Sequence, residues 1–355
     1  MTRILATATA LPPHLLPRAL YRELVAQVFP RREARTAITI ADNGRVEQRH
    51  LAITPEEAMT PRPLGETSRR YAALATALSE AAAQQALDRA GVAPTDVDLF
   101  VTTSCTGLMI PSVDAFLVER MGMRRDCVRL PITELGCAAG AAALGRAREH
   151  LLAHPGHVVL VVACELASLT FQPGDPSATN AVATSLFGDG AAACVLGPPT
   201  RARRPSPSVV AHRTHLFPRS HHLMGFRLEE SGLHIILDRE VPTALAGKVR
   251  PLVDEVLARE GLTVNELRFA VVHPGGRRIL EDVGRDLEIA PLLAPSWSTL
   301  ARVGNLSSAT VIFVLDELMH SAAPPPPGAP GLLLAFGPGF SAEVGVLRWE
   351  GDHRV

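Results

Sequence analysis

Short apolar runs alternate along the chain with longer alanine-rich stretches in which apolar residues return every third or fourth position. Tyr71 to Ala90 carries Ala and Leu at that helical spacing, with Thr67 and Ser68 available to cap its start and Gly91 placed to end it. The same spacing predicts helices over Cys137 to Ala153 (stopped by Pro155-Gly156), Pro251 to Arg259, Gly275 to Leu287 and Leu306 to His320. Between them Asp98 to Thr103, His157 to Ala163, Ala191 to Leu196, Arg268 to Val272, Leu332 to Phe336 and Val344 to Trp349 are short and apolar and predict strands. The run from His157 lacks alternation, as a strand buried on both faces does. Strand, helix, strand at these lengths predicts an α/β fold with helices covering a mixed sheet.

Two proline-rich segments interrupt the rhythm. Arg201 to Ser208 is basic and suited to join two halves, taken as 1–205 and 206–355. Ala323 to Pro330 holds four consecutive prolines and predicts an extended surface connection. The halves share an order of elements, with no short tandem repeat. Met1 to Ala6 is a brief apolar run broken by Thr7, Thr9 and Pro12-Pro13, read as a first strand in preference to a signal peptide. No uninterrupted apolar stretch of about 18 residues occurs, so no membrane span is expected.

Composition narrows the function classes. A chain of 355 residues, 47% of them hydrophobic, has material for a large core. A formal net charge of -1 offers no electrostatic basis for binding nucleic acid or an anionic membrane, and 4% aromatic residues make no base-stacking platform. The five cysteines are odd in number and form no CxxC pair, against a secreted disulfide framework or a zinc ribbon and in favour of a cytoplasmic setting. His221-His222 has no matching Cys or carboxylate spacing, so no metal is expected.

Three residues stand where chemistry is usually placed. Cys137 would sit in the first turn of a helix followed by small residues, where backbone N–H groups and the helix dipole favour a thiolate; a buried cysteine acting as a small hydrophobe fits the same segment. His273 ends a buried strand just before Pro274-Gly275-Gly276, a site of chemistry in α/β sheets and equally of a hydrogen-bonded structural histidine. Asn305 opens a helix, first of all as a cap, and can also aim an amide at a ligand. Cys105, Cys164 and Cys194 read as core fillers.

Together these segments carry a resemblance. Gly136-Cys137-Ala138-Ala139-Gly140, Leu186-Phe187-Gly188-Asp189-Gly190-Ala191-Ala192, His273-Pro274-Gly275-Gly276, Gly304-Asn305-Leu306-Ser307-Ser308 and Gly337-Pro338-Gly339 span most of the chain. In order and spacing they resemble the type III polyketide synthases, the chalcone synthase-like branch of the thiolase superfamily. Cys105 to Ser112 resembles the bacterial members. The resemblance implies the layered αβαβα thiolase fold with two pseudo-repeated halves, acting as a homodimer. It implies no permanently bound cofactor, with an acyl-CoA starter and malonyl-CoA as substrates.

By the same resemblance Cys137 accepts the starter, while His273 pairs with its thiolate and, with Asn305, donates to the thioester oxygen. Phe187 matches a gatekeeper between the coenzyme A tunnel and the cavity, and Ile235 stands where a second phenylalanine is usual, leaving apolar room for a longer aliphatic starter. Thr170 falls at a cavity position that tunes chain length. Ser307 and the Gly337-Pro338-Gly339 turn fall among the substrate-binding segments. Ile110 reaches the partner subunit's cavity or simply packs in the core. Arg45, Arg49, Arg277 and Arg278 are candidates for the coenzyme A phosphates, with solvated surface charge as the plain alternative. The product leans toward an alkylpyrone or resorcinol. The rivals are an initiating ketoacyl-carrier-protein synthase of fatty acid synthesis and a non-catalytic scaffold of the same fold.

Overall fold

The computed structural model describes residues 2–351; the expected first strand begins at Met1, which lies outside them. The N-terminal elements are β1 (Arg3–Ala10), β2 (His14–Pro17), α1 (Arg18–Val28), α2 (Arg31–Asn43), β3 (Gln48–Leu51), α3 (Pro55–Ala58) and α4 (Leu64–Ala90). There follow β4 (Leu99–Thr103), α5 (Val113–Arg120), β5 (Val128–Ile132), α6 (Ala139–Ala153), β6 (Val159–Leu166), α7 (Ala178–Leu186) and β7 (Asp189–Gly197). Then come β8 (Ser206–Leu216), β9 (Met224–Glu229), β10 (Gly232–Leu237), α8 (Val241–Leu245), α9 (Val249–Ala258) and β11 (Phe269–Val272). The chain closes with α10 (Arg277–Asp286), α11 (Ala294–Val303), α12 (Thr310–Met319), β12 (Pro330–Gly337) and β13 (Ser341–Glu350).

Hydrogen bonds join nine strands in the order β11-β12-β13-β8-β1-β7-β6-β4-β5. β1 and β8 pair only where Arg3 faces Ser208, so the sheet is in effect two pieces. In one piece β5, β4 and β6 are parallel, β7 runs antiparallel to β6, and β1 runs antiparallel to β7. The other repeats that pattern, with β11 and β12 parallel and β13 and β8 antiparallel.

Alternation along the strands builds the layers. Val159, Val161 and Ala163 of β6 share a core with Leu333 and Ala335 of β12, and between them lie Leu144 and Ala147 of α6 and Val311, Ile312 and Leu315 of α12. The opposite face of β6, Leu160, Val162 and Cys164, packs with Ala75, Ala82, Ala83 and Ala86 of α4, whose small side chains let the helix lie close to the sheet. The opposite face of β12, Leu332, Leu334 and Phe336, packs with Val253 and Leu257 of α9 and Leu280 and Val283 of α10. Helix, sheet, helix, sheet, helix is the αβαβα order. Strands covered on both faces need no polar positions, which is why their sequences lack alternation.

Boundaries differ from expectation where caps do. α4 starts after Pro63, so Thr67 and Ser68 lie inside its first turns and do not cap it, while Gly91 ends it at φ +63°, its N–H bonding the Asp88 carbonyl at 3.1 Å. α1, α2 and the β9–β10 hairpin went unforeseen. The buried face of α2 is only Ala34, Ala37 and Ala41 among arginines and threonines, too weak an apolar stripe to stand out. The helices expected from Cys137 and Leu306 each begin with a 3-10 turn, Gly136–Ala138 and Ser307–Ala309. Among the described residues no helix is long and apolar enough to cross a membrane.

Candidate active site

Three backbone segments meet where side chains are absent. A Cβ on Gly140 would lie 2.1 Å from the Ser308 carbonyl oxygen, and one on Gly337 would lie 2.5 Å from that of Leu135. Gly136, at φ +50°, would bring a Cβ within 2.6 Å of Pro338 Cδ. Glycine at these positions lets the turns holding Cys137, Ser307 and Pro338 close on one another.

Cys137 is buried at the start of the middle-layer helix, and its thiol donates to Ser307 Oγ at 3.5 Å. Ser307 holds a left-handed φ of +46°, the kind of strained conformation that persists where surroundings impose it. Its N–H donates to Asn305 Oδ1 at 2.8 Å, an Asx-type turn one residue ahead of the cap position, which Leu306 occupies, so Asn305 is not itself the N-cap. That bond leaves the amide nitrogen on the other side, donating to the Gly275 carbonyl at 3.3 Å. His273, at the end of β11, is buried; neither ring nitrogen has a hydrogen-bond partner, and its Nε2 lies 3.8 Å from where a Cβ on Gly275 would be. Gly275 thus sits between imidazole and carboxamide.

Burial dominates the electrostatics. It pushes the Cys137 thiol up to about 11, against the Ser307 hydroxyl and with the Glu165 carboxylate, while the Asn305 amide pulls it down. Burial alone pushes His273 down to about 3. Burial thus disfavours charge on both groups and opposes the thiolate that a helix start favours.

Cys137 opens on a cavity of about 820 Å³. Its wall includes Ser307, Phe187, Thr170, Ile235, Ile110, Pro338 and Gly339, with Leu16, Leu51, Met59 and Phe171 among the apolar lining. His273, Asn305 and Gly337 are not among the residues that line it. Phe187 forms a β-bridge with Asn305: Gly188 N–H donates to the Asn305 carbonyl at 3.0 Å and Asn305 N–H to the Leu186 carbonyl at 2.9 Å.

Residues 1–199 match the family model for the N-terminal domain of chalcone and stilbene synthases, and residues 208–349 match the model for their C-terminal domain. The chain belongs to the chalcone and stilbene synthase family. It is 42% identical over 357 aligned residues to a 1,3,6,8-tetrahydroxynaphthalene synthase of Streptomyces peucetius subsp. caesius, covering 98% of this chain and 93% of that protein. It is 34% identical to a phloroglucinol synthase of Pseudomonas fluorescens over 86% of this chain and 87% of that one. Among solved structures, the 1,3,6,8-tetrahydroxynaphthalene synthase of Streptomyces coelicolor A3(2), described as a bacterial type III polyketide synthase, superposes with a TM-score of 0.93 at 31% identity, covering 98% and 99% of the two chains. The chain is thus a type III polyketide synthase, an acyltransferase that joins acyl units by decarboxylative condensation. An initiating ketoacyl synthase is not favoured.

The remaining sequence candidates of this type III polyketide synthase scatter. Ile110 is fully exposed, which removes the core-packing reading. Arg45 is exposed and stacks on Trp297, 4.6 Å from the ring centre. Arg277 and Arg278 are exposed at the start of α10, Arg277 within 3.8 Å of Glu281. Arg49 is buried, its guanidinium bonded to the Thr184 and Phe187 carbonyls and thus committed to protein groups. Among the described residues no group of three or more His, Cys, Asp or Glu is arranged to hold a metal ion.

Two features escaped sequence reasoning. Cys105 is not a core filler: it lines the cavity, its sulfur 3.4 Å from the Ser307 Oγ that Cys137 also meets. Glu165, buried at the end of β6, accepts from Cys105 N–H at 3.1 Å, Thr106 Oγ1 at 2.7 Å and the Ser308 hydroxyl. Burial raises its pKa, opposed by those donors. An acidic residue inside an otherwise apolar strand was the available signal.

Proposed function

We propose that Cys137 takes a starter acyl group from a coenzyme A thioester and extends it with malonyl-CoA, His273 and Asn305 serving as its partners. The observations that carry this are a buried thiol in the wall of a large apolar cavity and, through Ser307, a neighbouring Asn305 carboxamide that shares Gly275 with the unpartnered His273 imidazole. Neutral His273 takes the thiol proton as sulfur bonds to the thioester carbon. The oxyanion accepts from the Asn305 amide, whose 3.3 Å bond to Gly275 is long enough to exchange. The carbon–sulfur bond to coenzyme A then breaks and its thiolate takes the proton from His273, leaving acyl-Cys137.

Malonyl-CoA next loses carbon dioxide, and the electron pair remains as an enolate whose oxygen faces the same two donors. The enolate carbon attacks the acyl-cysteine carbonyl, and the Cys137–carbon bond breaks. No carboxylate base is required, because decarboxylation generates the carbanion.

The 42% identity to a 1,3,6,8-tetrahydroxynaphthalene synthase supports a polyhydroxylated aromatic product of that class. A second reading, an alkylpyrone or resorcinol from an aliphatic starter, is favoured by Ile235 in the cavity wall, smaller than phenylalanine. Exposed Ile110, Phe116 and Val128, the last on edge strand β5, support a homodimer in which Ile110 reaches the partner's cavity. Five free thiols support a cytoplasmic setting.

The test is Cys137→Ala with malonyl-CoA. Condensation is expected to vanish while decarboxylation stays measurable, because His273 and Asn305 still bind the enolate oxygen. A folded variant losing both activities would refute this division of roles. Mass spectrometry of wild-type products from malonyl-CoA alone, against a panel of acyl-CoA starters, decides the product class.

A further inference from the structure

Arg49 is a buried cation that the proposed chemistry leaves unused. It sits on β3, 3% exposed, in a region where a charge needs compensation. Nη1 donates to the Thr184 and Phe187 carbonyls, the latter at 3.3 Å. The guanidinium carbon stands 4.8 Å from the centre of the Tyr21 ring, a cation–π contact. Burial pulls its pKa down to about 10, while Tyr21 and Asp189 act the other way. It remains charged at neutral pH.

Its aliphatic stem is committed as well. A Cβ on Gly304 would lie 2.9 Å from Arg49 Cγ, and one on Gly188 would lie 3.2 Å from Arg49 Cβ. Gly188 and Gly304 directly flank the Phe187–Asn305 bridge. The arginine therefore fills the joint between the end of α7 and the turn after α11, holding one strand of the bridge by its carbonyls and the other by packing.

We propose that Arg49 is a positioning residue of the condensing site: it fixes the bridge that aims the Asn305 amide and sets the Phe187 ring in the cavity wall, and it does not meet coenzyme A phosphate. The inference rests on the roles proposed above for Asn305 and Phe187. A planar guanidinium can serve two carbonyls and an aromatic face at once, whereas an ammonium is a point donor. Displacement of a reacting group by about 1 Å costs on the order of 100-fold in rate.

The test compares Arg49→Lys and Arg49→Met with the wild-type enzyme and an Arg259→Gln control, a surface arginine paired with Glu255, each shown to be folded by circular dichroism. Steady-state kcat and KM for malonyl-CoA are measured together with the product profile. Expected are a fall in kcat of roughly 10- to 100-fold with KM changed by less than about threefold, a shift toward shorter products, and partial recovery in Arg49→Lys. Should Arg49→Met not fold, Arg49→Lys carries the test alone, since it keeps the buried charge beside Asp189. A raised KM with kcat retained would make Arg49 a phosphate contact and overturn the inference, as would unchanged kinetics in either folded variant. A wild-type protein without turnover of malonyl-CoA would instead sink the functional reading, and this inference with it.

Discussion

Gly140→Ala isolates the packing that brings the Cys137 and Ser307 turns together. The new methyl would lie 2.1 Å from the Ser308 carbonyl oxygen, 3.2 Å from the Ser308 carbonyl carbon and 2.8 Å from Val311 Cγ1. Ordinary contacts begin near 3.5 Å, so the backbone of the Ser307–Ala309 turn must retreat by about 1.4 Å. Val311 can rotate, but the Ser308 carbonyl is main chain and cannot. Two energies compete: alanine in place of a helical glycine gains about 0.5–1 kcal/mol, and overpacking a filled interior costs about 1–3 kcal/mol. The clash wins by about 1–2 kcal/mol, which lowers Tm by only about 1–3 °C in a protein of this size. Activity should suffer far more. The retreating turn carries Ser307 and lies next to Asn305, and an error of about 1 Å there predicts a loss of roughly 100-fold in kcat. Malonyl-CoA condensation followed by chromatography, alongside calorimetry, measures both. Gly156→Ala, where nothing lies within 4 Å, is the control expected to leave both unchanged. A Gly140→Ala protein with wild-type Tm and wild-type kcat would refute the claim that the two turns are in contact because residue 140 has no side chain.

Ile235→Phe should narrow the cavity beside Phe226 and Leu233, so turnover of long acyl-CoA starters falls at least about tenfold relative to malonyl-CoA alone; equal losses for short and long starters would count against a size filter. Asp189 accepts from Ala52 N–H and Ser168 N–H at 2.7 and 2.8 Å, yet burial still raises its pKa from 3.8 to about 6. Between those values the folded protein keeps a proton the unfolded chain has lost, so this carboxyl contributes stability at pH 4 that is lost as pH rises through about 6. Urea titrations at pH 4 and pH 7 should show this slope in the wild type and a flatter one in Asp189→Asn; a wild-type slope kept by the variant would show that another group causes it.

Much of the architecture was legible because burial on both faces writes itself as uninterrupted apolar runs. β6, β7, β12 and β13 were foreseen that way, as were the cores of α4, α6 and α12. Cys137, His273 and Asn305 could be singled out because each stands at a break in such a pattern, next to residues too small for ordinary packing. The layering was not readable: nothing local says that α6 and α12 share the middle layer, with α4 outside.

Sequence alone determined strands β6, β7, β12 and β13, the cores of α4, α6 and α12, and the run of small residues after Cys137, since these follow from spacing a few residues long. Only the tertiary structure decided that Cys105 and Cys137 share one hydroxyl, 202 and 170 residues away from each in the chain, that Arg49 is a buried clamp and that Ile110 is bare. Such facts depend on which distant segments come to touch. A side chain's charge state and accessibility are set by those neighbours, which no short window of sequence contains.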